Sequence, residues 1–265
     1  MARSERSHYT RTPASWIAGC SDVGRRHRTN QDAFCIAVRE APGRAALIAV
    51  ADGVSSAAGS ELASLVATET VIATLVDKLS AGTPENVAFV QSFVEANRAV
   101  MDAPVGDEPS ACTLIAAHVA PNSVSIANVG DSRAYWLGDD GSCRLLSTDD
   151  SMAQARIMLG MSRRDAEQSS HAHAITKWLG RSATNVTPSV TTFQPEADGW
   201  LLLCTDGLWN YASSPEEMCR VATHYVAADP RPESVAEGLV GWANEAGGKD
   251  NITVAVARLE VARPR

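Results

Sequence analysis

The stretch "ALIAVADGV", Ala46 to Val54, decides the reading of this chain. An apolar run of strand length ends on an aspartate and a glycine. "LLLCTDGLW", Leu201 to Trp209, repeats the arrangement at Asp206 and Gly207. "SIANVGDSR", Ser125 to Arg133, gives a looser version at Asp131. A buried strand should not deliver a carboxylate without compensation, because burying one ionised carboxylate costs several kcal/mol. Several of them together need a strong positive partner.

Outward from these strands the chain runs in blocks of strands and blocks of helices. "WIAGCSDVG" and "DAFCIAVRE" read as a pair of strands separated by a polar loop over 21–31. A helix is expected from about Gly59 to Leu79, with Leu62, Leu65, Val66, Ile72, Leu75, Val76 and Leu79 at helical spacing. A second is expected over 85–101, with Thr83 as N-cap and Pro84 at the first position. Strands resume at "SACTLIAAHVA", "SVSIANVG" and "SRAYWLG". Residues 149–182 are polar and helical in patches, and interrupt the series like a flap. "SVTTFQP" and "WLLLCTDG" follow, then helices near 215–227 and 232–246, then the strand "DNITVAVARLEV". Strands and helices are segregated rather than alternating, which predicts an α+β fold with antiparallel sheets.

Apolar content of 45% and charged content of 20% fit a globular chain. A net charge of −8 argues against a nucleic-acid surface, which needs a basic face. No apolar run approaches the roughly 20 residues that span a bilayer, so no membrane partner is expected. Residues 1–14 lack the apolar segment of a secretory signal and read as a flexible tail before a single domain over 15–262. Six cysteines include no CxxC pair, and Cys35, Cys112 and Cys204 sit in apolar runs. Neither a zinc site nor a disulfide framework is expected, and the implied compartment is a reducing cytosol.

Five acids stand beside apolar strands: Asp32 in "NQDAF", Asp52, Asp131, Asp206, and Asp250 in "KDNITV". A lone Asp-Gly reads as a turn, but a turn needs no strand to deliver it and predicts no fivefold recurrence. If the acids converge, repulsion requires cations between them. Oxygen ligands without a histidine or cysteine motif select Mg2+ or Mn2+.

"SDVGRRHRTNQDAF", "VADGVSSAAGSELAS", "ACTLIAAHV", "ANVGDSRAYWL", "LLLCTDGLWNY" and "KDNITVAVARL" stand in an order and spacing that resembles the protein phosphatase 2C family. These are metal-dependent Ser/Thr phosphatases, and the resemblance, to the compact bacterial type, covers about residues 16–260. It implies a four-layer αββα sandwich of two antiparallel sheets flanked by helices, with metals in a cleft at one end. Asp52 then corresponds to the carboxylate bridging two metals, and Gly53 offers its carbonyl to one of them. Asp206 and Asp250 correspond to ligands of the other ion, and Asp131 with Asp206 to a weaker third site. Asp32 matches an outer acid that orients water, with Gln31 beside it where a Glu is usual, and Asn251 braces Asp250. Ser132 and Arg133 hold their loop together. The implied cofactors are two or three Mn2+ or Mg2+ ions. The implied reaction is hydrolysis of phosphoserine or phosphothreonine by an activated water, opposing a Ser/Thr kinase in the cytoplasm.

Three departures qualify the resemblance. The family's phosphate-binding arginine falls at His27, leaving His27 or a neighbour, Arg28 or Arg26, for that task. Val54 stands where some members carry a histidine. Ser55 and Ser56 replace glycines, as helix caps or as cleft hydroxyls. His171 and His173 read as surface residues, His118 as structural, and Trp200, Trp209 and Trp242 as core. Two other readings share the fold: a phosphoprotein-binding pseudophosphatase, and a small-metabolite phosphatase with 149–182 as its lid.

Overall fold

The computed structural model describes residues 6–41, 43–54, 57, 59–103 and 110–261. Its first half runs β1 (His8–Ala14), β2 (Ile17–Asp22), β3 (Ala33–Arg39), β4 (Ala45–Ala51), α1 (Ser60–Ser80) and α2 (Glu85–Asp102). Then come β5 (Ala111–Cys112), β6 (Leu114–Ala120), β7 (Ser123–Val129), β8 (Arg133–Gly138) and β9 (Cys143–Leu145). The segment expected to be a flap holds α3 (Met152–Met158), α4 (Arg163–Glu167) and the short β10 (Leu179–Gly180). The chain continues through β11 (Ser189–Phe193), β12 (Gly199–Cys204), α5 (Asp206–Trp209), α6 (Pro215–Ala228), α7 (Pro232–Glu245) and β13 (Ile252–Leu259).

Two large antiparallel sheets form, ordered β1-β2-β13-β12-β8-β9 and β11-β7-β6-β4-β3, and β10 pairs with β5 apart from them. Strand alternation sets the layers. In β4, Ala46, Ile48 and Val50 face the other sheet and meet Leu201 and Leu203 of β12 and Ala255 and Ala257 of β13. The opposite residues of β4, Leu47, Ala49 and Ala51, pack under α1 and α2 against Ala67, Val71, Phe89 and Phe93. The outer face of β12, Trp200, Leu202 and Cys204, packs under α6 and α7. The result is the α+β fold that the segregated pattern predicts, in the αββα sandwich that the family resemblance implies.

Register then gathers the acids at one end. Ala33 pairs with Ala51, so the start of β3 meets the end of β4. Leu114 pairs with Val129, which brings the end of β7 beside the start of β6. Cys204 pairs with both Arg133 and Val254, so β12 ends where β8 and β13 begin.

Several expectations need correction. Residues 8–14 are not a loose tail: β1 pairs along β2, and Tyr9 stacks on Phe34 with ring centroids 5.1 Å apart. An edge strand needs only one such apolar contact, so its polar composition hides it. β2 and β3 do not pair with each other but lie in different sheets, the polar loop crossing between them. The N-cap of α2 is Pro84, not Thr83, with no side-chain cap. Cys143 of β9 and Cys219 of α6 form a disulfide, while Cys20, Cys35, Cys112 and Cys204 stay free. Nothing in the local sequence of either partner announces a pairing across 76 positions. No helix among the described residues is long and apolar enough to cross a membrane.

Candidate metal centre

Each acid is placed by its own strand end. Asp52 leaves β4 with its N–H donating to Thr113 Oγ1 at 3.0 Å and its carbonyl accepting from Thr113 N–H at 2.8 Å. Gly53 follows because nothing larger fits: a Cβ there would lie 2.6 Å from the Ser60 carbonyl oxygen and 2.7 Å from that of Gln31. Asp206 opens α5, and its Oδ2 accepts from Asn210 Nδ2 at 3.1 Å. Gly207 presses against the backbone of Asn251, and Gly24, at φ +74°, against the backbone of Asp250. These contacts lock the loops of Asp206 and His27 onto the loop of Asp250. Asp131 follows β7, its carbonyl accepting from Trp209 Nε1 at 2.9 Å. Asp32 is fully buried, its Oδ2 accepting from Thr205 Oγ1 at 2.8 Å.

Four of the carboxyl groups are raised by burial and by their neighbours. Burial pushes Asp32 up to about 8 against the hydrogen bonds of Thr205 and Thr253, and the charges of Asp250 and Asp206 add to the rise. Burial and the charge of Asp250 raise Asp206 to about 6. Asp52 is held well above the ordinary carboxylate range by burial, then by Asp32, Asp206, Asp131 and Asp250. Burial does the same to Asp131, with Asp206 and Asp149 adding to it and Arg133 opposing. Asp32 Oδ1 and Asp206 Oδ1 are buried without a hydrogen-bond partner.

This donor set suits hard divalent cations. It offers carboxylate oxygens, two of them left unpartnered. Among the described residues no three acidic, imidazole or thiol side chains already stand as a closed cage. Asp206 lies close enough for its charge to oppose ionisation of Asp52. A cation entering here displaces protons rather than filling a dry hole.

A match to the protein phosphatase 2C family spans residues 23–243. The chain belongs to the protein phosphatase 2C family. PstP of Mycobacterium tuberculosis, a serine/threonine protein phosphatase, is 30% identical over 246 residues, covering 91% of this chain. The aligned part is only 44% of PstP's own length, so this chain spans less than half of that relative. The PPM Ser-Thr phosphatase MsPP of Mycobacterium smegmatis, solved in complex with cacodylate, superposes with a TM-score of 0.70 at 30% identity, over 93% of this chain and 100% of that one. The catalytic domain of PstP, solved with two manganese ions, superposes with a TM-score of 0.66 at 25% identity, over 95% and 99%.

Within this phosphatase 2C chain the remaining predicted residues fall as follows. His27 Nε2 lies 3.3 Å from Asp250 Oδ1, at the edge of the carboxylate group. Arg26 and Arg28 are exposed on the same loop. Gln31 donates its side-chain amide to Ser60 Oγ, which ties it to α1. Asn251 does not brace Asp250 with its side chain. Its Oδ1 accepts from Gln31 N–H at 2.7 Å and its Nδ2 donates to the Val23 carbonyl at 2.7 Å, so it pins the His27 loop. Only its backbone N–H reaches Asp250, at 2.8 Å. Ser55 and Ser56 lie outside the described residues. His118 pairs with Glu85, as a structural histidine would.

Three groups escaped the sequence reading. Thr113, Thr205 and Thr253 are buried hydroxyls in apolar strands, and their isolation there was the available signal. Trp209 is core, yet it also holds Asp131 and carries the Arg133 guanidinium 3.7 Å from its ring centre. Arg133 is 2% exposed and paired with Asp149 at 2.7 Å and Glu167 at 3.4 Å. This joins α4 to the centre. A cleft of about 890 Å3 opens beside Asp250, Gly207 and Trp209, with Arg163, Arg164 and His173 on its far wall.

The raised carboxyls set a sign for stability. Between the ordinary value of 3.8 and their folded values of about 6 and about 8, Asp206 and Asp32 keep protons in the folded state that the unfolded chain has lost. Without metal, stability is therefore fullest below pH 3.8 as far as these groups act, and falls as pH rises toward about 8. Melting of EDTA-treated protein is expected to shift down across that window, and saturating Mn2+ to abolish the shift. A flat metal-free profile would contradict the shared burial of these acids.

Proposed function

We propose that this chain is a metal-dependent phosphatase acting on phosphoserine and phosphothreonine in proteins. The observation that carries the proposal is the convergence of five aspartates from five strand ends, four of them pushed above their ordinary range by burial and each other. Two manganese ions in the related PstP domain support a site of the same kind here. Two or three Mn2+ or Mg2+ ions at this place would supply Lewis acidity and a nucleophile at neutral pH.

The chain's own residues take the following parts. Asp52, with the Gly53 carbonyl, Asp206 and Asp250, would hold the pair of ions. Asp131 with Asp206 holds a weaker third. Asp32, fixed by Thr205, orients the attacking water. Gln31 and Asn251 set the loop that carries His27, and His27 donates to a phosphoryl oxygen, with Arg28 in reserve. The cleft beside Asp250 admits the phosphorylated segment, and residues 149–182 form its far wall as a flap. A Ser/Thr kinase is the enzyme it would oppose; four thiols stay free, while the Cys143–Cys219 disulfide weighs against a strictly reducing compartment.

The test is turnover of p-nitrophenyl phosphate and of phosphothreonine peptides with Mn2+, before and after EDTA. EDTA-sensitive hydrolysis of both is expected, and its absence would leave a phosphoprotein-binding module. His27→Ala is expected to raise KM for phosphopeptide about tenfold, the scale of one hydrogen bond to a charged group. Half-saturation by Mn2+ should change less. An unchanged KM would move the phosphate contact to Arg26 or Arg28.

A further inference from the structure

Arg6 precedes β1 and is 9% exposed. Its guanidinium forks between two carbonyls from distant parts of the chain. Nη2 donates to the Asp32 carbonyl at 2.6 Å, and Nη1 to the Glu61 carbonyl, in the first turn of α1, at 2.8 Å. Its own carbonyl accepts from Asn30 Nδ2 at 3.0 Å, and the Asn30 Oδ1 in turn accepts from the Asp32 N–H at 3.1 Å. The Ser7 carbonyl accepts from Val23 N–H at 2.7 Å. Residues 6–7 therefore hold the 22–32 loop at both of its ends.

We propose that Arg6 is a positioning residue for the carboxylate centre, setting the distance between the Asp32 segment and the first turn of α1. That distance matters because Gly53 lies between the two, its missing Cβ space closed by the carbonyls of Gln31 and Ser60. Two further ties cross the same gap: Gln31 to Ser60, and Ser64 Oγ to the Gln31 carbonyl at 2.5 Å. Those two close the gap at residue 31, while Arg6 alone among the three reaches residue 32. Losing the fork lets Asp32 and the Gly53 carbonyl move relative to Asp206 and Asp250. A planar guanidinium can satisfy two carbonyls at once with fixed geometry, which an ammonium cannot do.

The inference rests on the reading of Asp32 and Gly53 as parts of a metal site, so the test separates the two. Arg6→Ala and Arg6→Lys are compared with the unaltered full chain in three measurements. These are Mn2+ affinity by calorimetry, amide exchange of residues 22–32 in the metal-free protein, and kcat on p-nitrophenyl phosphate. Outer partners of metal ligands contribute about 10–100-fold to affinity or activity. Arg6→Ala should therefore weaken Mn2+ binding and lower kcat by about tenfold or more, with faster exchange in the loop and KM little changed. Arg6→Lys should recover only part. Added guanidinium ion should restore kcat and Mn2+ affinity to Arg6→Ala in a saturable way. Unaltered Mn2+ affinity and loop exchange in Arg6→Ala overturn the proposal. So does a misfolded Arg6→Ala that guanidinium does not rescue. If the unaltered chain binds Mn2+ yet hydrolyses nothing, the phosphatase reading fails while the affinity and exchange measurements still decide the role of Arg6.

Discussion

Asp52→Asn is expected to remove turnover while making the metal-free protein more stable near neutral pH. The two effects have one cause. Burial is the main obstacle to ionising Asp52, and the charges of Asp32, Asp206, Asp131 and Asp250 add to it. A neutral amide of the same shape removes repulsion from the empty centre, so the metal-free melting temperature should rise. The same amide cannot bridge cations as a carboxylate does. Outer-shell losses already cost about 10–100-fold, and removal of a bridging ligand should exceed that range. Calorimetry with Mn2+, hydrolysis of p-nitrophenyl phosphate and melting in EDTA report the three quantities separately. If Asp52→Asn keeps full activity, the assignment of Asp52 is wrong. If it loses activity and also melts lower in EDTA, the residue is structural.

Arg133→Ala is expected to produce the largest loss of folding stability of any single change named here. The guanidinium is almost wholly buried, and Nε and Nη2 both donate to the Asp149 carboxylate, at 2.7–3.0 Å. Nη1 donates to the Ser213 carbonyl at 3.0 Å, and the plane lies over Trp209. Removing one partner of a buried pair strands the other, at a cost of about 3–5 kcal/mol. Urea unfolding of the variant should show that drop, and a loss below about 1 kcal/mol would class the pair with exposed bridges. Because Trp209 also holds the Asp131 carbonyl and Glu167 belongs to α4, Mn2+ binding near Asp131 and the cleft's far wall should loosen together. Replacing Arg133 and Asp149 jointly by apolar residues of similar size should recover part of the stability and none of that coupling.

What the sequence made legible was what local chemistry marks. Asp-Gly at the ends of "ALIAVADG" and "LLLCTDG" announces both strand and site, because a strand cannot bury such an acid unaided. The spacing of Leu62, Leu65, Ile72 and Leu75 announces α1, which the structure places over Ser60–Ser80. What stayed hidden depends on partners far away in the chain. β1 is mostly polar, with Tyr9 and Ala14 packed on the core, and it pairs along the edge that β2 offers. Arg6 looks like one more tail cation until the Asp32 and Glu61 carbonyls meet it. Asn251 sits beside Asp250 in sequence, which suggests service to its neighbour, but its side chain turns to residues 23 and 31 across the loop. Cys143 and Cys219 carry no motif, and α6 alone brings them together.

β13, formed last along the chain, lies between β2 and β12 in the middle of the six-stranded sheet. A chain emerging from a ribosome therefore holds two unpaired inner edges until residues 252–259 arrive and zip between them. Until then Asp250 has no fixed place beside Asp206. Shortening the protein before Ile252 would leave two long open edges, the kind of surface that recruits other strands. Such truncations should appear as aggregates rather than as weakened enzymes.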